Sequence, residues 1–262
     1  MYNFEFAKPK TVEEAASAMA AEGAQALGGG QTLLPTMKQR LASPEVLVSM
    51  TGIESMVGVA VRGDTLTIGG ATTHAQVAAD AADLYPGLAA LAANIGDPAV
   101  RNRGTIGGSL ANNDPAACYP AGALGSGATI TTNTRDIAAD DYFQGMFETA
   151  LDEDEIITSV SFPIPEKANY QKFDQPASRF ALVGVFVAKT ADGVRVAVTG
   201  ASNEGVYRWT EAETALSASF SEGALESMSG NLDDMIADLH GSASYRAHLV
   251  GVLTRRAVAA CG

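Results

Sequence analysis

Cysteine is almost absent: the 262-residue chain has two, Cys118 and Cys261. Two thiols cannot frame a disulfide-stapled fold, nor hold an iron–sulfur cluster, which usually takes four. No Cys-x-x-Cys occurs, which argues against a structural zinc site. Cations are also short: 17 Lys plus Arg stand against 30 Asp plus Glu, a net charge of −13. Such a chain repels a phosphate backbone, so nucleic-acid binding is not expected. The one basic pair, Arg255-Arg256, reads as the C-terminal end of a helix. The three histidines, His74, His240 and His248, stand at no metal-ligand spacing and read as surface or satisfied side chains. Neither a Gly-x-Ser-x-Gly elbow nor a Gly-Lys-Ser/Thr loop is present, so a serine hydrolase and a Walker-type nucleotidase are unsupported. The longest apolar run, residues 180–188, is far too short to span a bilayer. The first residues carry an acid, Glu5, and no apolar run, so no signal peptide is expected and the cytoplasm is the default location.

What is present is a globular composition, 47% hydrophobic, enough to bury a core. Residues 11–22 read as a helix, with Thr11 as N-cap and Glu14 completing a capping box. Residues 24–27 and 46–50 read as strands, with a short helix over 33–40 between them. Gly63-Asp64 marks a hairpin between strands 57–62 and 65–69. Helices follow around 73–82 and 86–94. A further helix is expected over 115–124, with Asp114 as its N-cap and Pro115 at its first position. Strands are expected at 128–133, 136–139 and 156–162. The acidic run 152–155 reads as a solvated turn. Beyond Pro165 the pattern shifts to strands at 170–173, 180–189, 194–201 and 206–209, then to helices, the clearest over 242–260. A domain boundary is therefore placed near Pro165.

Two segments are candidates for chemistry. In Leu27-Gly-Gly-Gly-Gln-Thr-Leu-Leu-Pro35, consecutive glycines allow positive φ, and successive N–H groups can form an anion cradle. The same run also fits a plain flexible turn. It is not a dinucleotide fingerprint, because Leu33 stands where the third glycine is needed. In Val100-Arg-Asn-Arg-Gly-Thr-Ile-Gly-Gly-Ser-Leu-Ala111, two glycines lie between the hydroxyls of Thr105 and Ser109, with Arg101 and Arg103 in reach. This segment fits a diphosphate held without much cationic charge, or an ordinary surface loop. Two such loops in one acidic chain favour a shared anion.

These loops resemble the flavin-binding medium subunit of molybdenum hydroxylases, the group of carbon monoxide dehydrogenase, nicotine and quinoline oxidoreductases and xanthine dehydrogenase. Met37-Lys-Gln-Arg-Leu41, Asp114-Pro-Ala-Ala117, Phe143-x-Gly145 and Asp154-Glu-Ile-Ile-Thr-x-Val-x-Phe-Pro163 extend the resemblance. So do Ala177-Ser-Arg-Phe-Ala-Leu-Val-Gly184 and Ser244-Tyr-Arg-x-His-Leu-x-x-Val-Leu-Thr-Arg-Arg-Ala257, so that it covers nearly the whole chain.

The resemblance implies an α+β fold. Residues 1–166 would form a two-subdomain FAD-binding domain of the PCMH (vanillyl-alcohol-oxidase-like) type, with subdomains of about 1–52 and 53–166. Residues 167–262 would form a C-terminal domain of a three-stranded antiparallel sheet plus helices. It implies non-covalent FAD, with the pyrophosphate held by Gly28, Gly29, Gly30, Gln31, Thr32 and Leu33 and by Thr105, Ile106, Gly107, Gly108 and Ser109. Ile95 and Ile157 fall near the isoalloxazine, Lys172 falls close to the ring system, and Asn102 and Asp114 would contact or order the cofactor. No catalytic residue and no metal ligand of its own is implied, because the flavin carries the redox chemistry. On this reading a valine at Gly107 or Gly108 would occupy the pyrophosphate position in a chain that still folds.

One departure is Asp114-Pro-Ala-Ala-Cys118, where the family often ends the run in an acid that contacts ribityl or ribose hydroxyls. A thiol accepts weakly, so that bond is lost, supplied by Asp114 or replaced by water.

The function implied is an electron-transfer subunit. A large molybdenum–pterin subunit would hydroxylate the substrate, a small 2Fe-2S subunit would deliver electrons, and this chain would pass them to an external acceptor. The assembly would be a dimer of heterotrimers. The length is too short for the fused arrangement, and two cysteines exclude the branch with an inserted 4Fe–4S cluster. The alternatives are a free-standing FAD-linked oxidoreductase with its own small-molecule substrate, and a scaffold with vestigial loops.

Overall fold

The computed structural model describes residues 1–261. The first unit is a parallel sheet. Strand β1 (Glu5–Ala7) leads into helix α1 (Val12–Met19), β2 (Ala24–Leu27), α2 (Leu33–Lys38) and β3 (Val46–Ser49), in the strand order β1-β3-β2. Thr11 caps α1 by accepting from the Glu14 N–H at 3.2 Å, and the Glu14 carboxylate accepts from the Lys10 N–H at 2.7 Å. That second bond falls one residue before the position a capping box uses. The buried face holds Ala15, Met19, Val48 and Met50, packed on Ile53, Met56 and Ile156.

The second unit begins with hairpin β4 (Val59–Arg62) and β5 (Thr65–Gly69). Helices α3 (His74–Asp80), α4 (Pro86–Ala93), α5 (Pro98–Arg101), α6 (Ile106–Asn112) and α7 (Cys118–Ser126) follow. Thr73, Asp97 and Thr105 cap α3, α5 and α6, and prolines open α4 and α5. Next come β6 (Thr129–Thr132), β7 (Asp136–Ala138), α8 (Ala139–Tyr142), β8 (Phe143–Gly145), β9 (Glu148–Thr149) and β10 (Ile157–Pro163). The antiparallel sheet runs β4-β5-β10-β6-β7. Strand β10 alternates, with Val160 and Phe162 buried against Leu66, Ile68 and Ile130.

The third unit is an antiparallel sheet of β11 (Lys167–Asp174), β12 (Ala181–Thr190), β13 (Gly193–Ser202) and β14 (Gly205–Arg208), followed by α9 (Thr210–Ala218) and α10 (Ala243–Ala260). It has four strands, as the residue pattern expects and not the three that the resemblance implies, because Gly205–Arg208 adds an edge strand to β13. Both faces are covered. Phe186, Ala188 and Ala197 join the core around α4 and α7, whereas Val183, Val185, Val196 and Val198 face α9 and α10. Burial on both sides explains the unbroken apolar run of β12.

The helix expected from Pro115 starts later, at Cys118. The β12–β13 sheet claims the carbonyls that would begin it. Thr199 Oγ1 donates to Pro115 O and Ala117 O, Gly200 N to Pro115 O, and Ala181 N to Ala116 O. Asp114 is therefore not a helix cap. Its carboxylate accepts from Ala116 N at 2.9 Å, closing a turn. The acidic run 152–155 is not wholly solvated either. Glu155 is 7% exposed and accepts from Thr132, Thr134, Arg135 and the Asp152 N–H.

Candidate functional site: a cleft between two glycine loops

A cleft of about 990 Å³ runs between the first and second units and reaches the loop before β12. Its middle is where the glycine segments meet. A side chain on Gly29 would strike the Arg103 carbonyl and the Gly104 backbone, and one on Gly28 would lie 2.7 Å from Thr105 Oγ1. The loops thus touch through main chain, which only residues without a Cβ permit.

The first loop supplies unused donors. Among the described residues, none of the backbone N–H groups of residues 28–32 finds an acceptor in the chain. Gly30 has φ +68°, so the run bends and its amides line a concavity. Consecutive orphan amides on a cleft wall demand an acceptor, and a diphosphate supplies several.

The second loop is different. Its amides are spent inside the chain: Ile106 N on Thr72 O, Gly107 N on Gly70 O, Gly108 N on Thr105 Oγ1 and Ser109 N on Thr105 O. It offers close approach and the Ser109 hydroxyl more than free N–H groups. Gly107 is buried, and a Cβ there would sit 2.6 Å from Gly70 O. Gly108 faces the cleft and meets only Thr105 Oγ1, at 3.0 Å. The expectation that valine at either glycine blocks the cleft in a folded chain is thus corrected for Gly107, where it breaks backbone packing instead.

Residues 28–33, Ile95, Thr105, Gly107, Gly108, Ser109, Asp114 and Ile157 all line the cleft. Three of the sequence-selected residues do not. Ile106 is fully buried in the core. Asn102 turns its amide back to Pro98 O at 2.8 Å. The Lys172 ammonium is enclosed: it donates to Asn94 O at 2.6 Å and Arg179 O at 2.9 Å, and pairs with Asp174 at 2.8 Å. Lys172 thereby ties β11 to the end of α4, beside Ile95.

Several cleft residues carry no motif. Strand β2 lines one end together with Ala42 and Pro44, and Ser178, Arg179 and Phe180 line the other. His74 is 5% exposed and lines the cleft beneath Gly104. Its Nδ1 has no partner among the described residues, which corrects the reading of a surface or satisfied histidine. Burial, helped by the Arg101 charge, lowers its pKa to about 4, so the ring is neutral. Burial raises the Asp114 carboxyl and the Cys118 thiol. Cys118 is buried at the cleft wall as a neutral thiol, so it does not replace the missing acid as an anion. Glu155 is held well below the carboxylate range, first by its hydrogen bonds from Arg135. It fixes the turn that leads into Ile156 and Ile157.

Residues 2–165 match the model of the FAD-binding domain in molybdopterin dehydrogenases. The chain belongs to that family. It is 35% identical to the nicotine 6-hydroxylase medium subunit of Paenarthrobacter nicotinovorans, over 98% of this chain and 96% of the relative. It is 32% identical, with the same coverage, to the carbon monoxide dehydrogenase medium chain of Afipia carboxidovorans. Among solved structures, carbon monoxide dehydrogenase from Hydrogenophaga pseudoflava superposes with a TM-score of 0.88 at 30% identity, covering 99% of this chain and 97% of that one. The family fixes the cofactor as FAD and the class as an oxidoreductase subunit, and the orphan amides of residues 28–32 fit its diphosphate. Among the described residues, no helix is long and apolar enough to cross a membrane, and no cluster of His, Cys, Asp and Glu could hold a metal.

Proposed function

We propose that this chain is the electron-transfer subunit of a three-chain molybdenum hydroxylase. It takes electrons from 2Fe-2S clusters of a small partner, fed by a molybdenum–pterin large partner, and hands them to an external acceptor. The names of the relatives, medium subunits and medium chains over almost their whole length, support the division of labour. The observation that carries the reading is the set of partnerless amides at residues 28–32, facing the second glycine loop across one cleft.

In this reading residues 28–32 and Ser109 hold the diphosphate, and Ile95 and Ile157 flank the ring. Asp114, beside Cys118, meets the sugar hydroxyls. Lys172 acts by fixing the Asn94–Ile95 turn. When bound, FAD supplies the step between single-electron carriers and a two-electron acceptor. The protein's own part is to bind, orient and shield it. The three units are proposed as subdomains 1–52 and 53–166 and a C-terminal domain from 167, in an assembly of two heterotrimers in the cytoplasm.

A visible spectrum and subunit analysis of the complex purified from its source test this. Flavin bands, iron–sulfur absorbance and two further chains are expected. A colourless complex that takes up no added FAD, or a lone flavoprotein that reduces its own substrate, would overturn it.

A further inference from the structure

Next to the flavin cleft lies a second, smaller pocket of about 340 Å³. It shares Gly96 and Arg179 with the cleft, so the two are separated by one turn of chain. Its walls are the end of α4, Arg101, and the β11–β12 loop from Asp174 to Arg179.

The charge at this place is opposite to that of the molecule. The chain carries −13, yet Arg101, Lys172 and Arg179 converge here. Asp174 is the single acid of the wall, and Lys172 already holds it at 2.8 Å. Among the described residues, neither Arg101 nor Arg179 pairs with a carboxylate. Two uncompensated guanidinium groups on one concave wall focus a positive potential that attracts an anion.

The chain is also stiffened where this matters. Three successive carbonyls of the turn between cleft and pocket are each capped by a cation. Lys172 donates to Asn94 O, and Arg101 Nη1 donates to Ile95 O and Gly96 O, each at 3.0 Å. Arg179 stands at φ +61°, a conformation costly for arginine, and its carbonyl is pinned by Lys172 at 2.9 Å. Among the described residues its side chain makes no hydrogen bond, so the strained backbone presents a free guanidinium to the pocket rim.

We propose that this pocket seats the negatively charged group of a small anionic electron acceptor, holding it between Arg101 and Arg179 beside the flavin. The inference rests on the flavin reading above and adds the class of the acceptor. The redox balance is simple. Bound and reduced, FAD would supply two electrons and two protons. Two ferricyanide trianions take one electron each while the protons go to solvent, whereas one neutral menadione takes both electrons and both protons.

The test uses the FAD-loaded protein, photoreduced and mixed with ferricyanide or menadione in a stopped-flow instrument. In Arg179→Gln the ratio of the ferricyanide rate to the menadione rate should fall about tenfold. Arg179→Lys should restore part of it. Arg256→Gln removes the same charge from the exposed face of α10 and should change the ratio less than twofold. Equal falls with both acceptors, or an equal effect of Arg256→Gln, would overturn the proposal. Broadening of the phosphorus resonance of inorganic pyrophosphate gives a readout without turnover. It should shrink in Arg179→Gln, and unchanged broadening in that variant would count against the pocket even where flavin is bound. Failure to bind FAD at all would instead strike the flavin reading.

Discussion

The missing side chain of Gly29 lies against the main-chain carbonyl of Arg103. This contact joins two segments more than seventy positions apart in sequence and defines the middle of the cleft. Neither partner can retreat alone: Gly29 follows the end of β2, and Arg103 sits between α5 and the Thr105 cap of α6. Gly29→Ala is therefore expected to push the loops apart. Purified Gly29→Ala should hold less than a tenth of the wild-type flavin by absorbance, with its far-ultraviolet circular dichroism largely kept. Full flavin content would show that the loops need not touch.

The two glycines of the second loop should separate in behaviour. Gly108→Val points into the cleft and should lower FAD affinity at least tenfold with little change in Tm of the flavin-free chain. Gly107→Val collides with Gly70 O and should destabilise the fold itself, by about 2 kcal/mol or more. Thermal melts of both variants without flavin decide the matter, and identical melts would refute the assignment of the two faces.

Acid should weaken this protein in a window set by His74. The imidazole titrates near 4 in the folded chain and near 6.5 when unfolded. A depressed folded value means that its stabilising share is complete above pH 6.5 and is lost as pH falls through 4. At about 1.4 kcal/mol per unit, the loss amounts to about 3 kcal/mol. Urea melts at pH 7 and pH 4.5 should differ by much of this in the wild type and by clearly less in His74→Gln. An equal pH slope in both would place the titrating group elsewhere.

Glu155 contributes in a lower window. Its carboxyl is depressed by Arg135 and the surrounding hydroxyls, so its share of stability is present above about 4.5 and declines as pH falls below that. Glu155→Gln should lower Tm by roughly 5 °C at pH 7. It should also raise the flavin dissociation rate severalfold, because the turn into Ile157 loosens. A variant with lowered Tm and an unchanged dissociation rate would confine Glu155 to stability.

Much of this arrangement was legible in the residues. Glycine and proline punctuation marked the loops, and the hydroxyl cap Thr11 marked a helix start, because both act over a few positions; the cap Thr105 and the helix it opens lay hidden in a segment read as a loop. Non-local effects escaped. Asp114-Pro115 has the local chemistry of a helix start, yet Thr199 and Gly200, over eighty positions away, take the carbonyls. Glu155 reads as one acid among four, and only the fold brings Arg135, Thr132 and Thr134 around it. Gly107 and Gly108 look alike in sequence, but a side chain on the first would meet the Gly70 backbone and one on the second the open cleft. Lys172 reads as a free cation near a ring, whereas its ammonium is fully engaged by Asn94, Arg179 and Asp174.

The strand order β4-β5-β10-β6-β7 places the last-made strand in the centre of its sheet. Until Ile157–Pro163 leaves the ribosome, the β4–β5 hairpin and the β6–β7 hairpin have no common neighbour. Ile157, which lines the cleft, arrives with that same strand. A nascent chain halted before residue 157 should thus expose two open hairpin edges and recruit chaperones, and cofactor loading becomes a late event of biosynthesis.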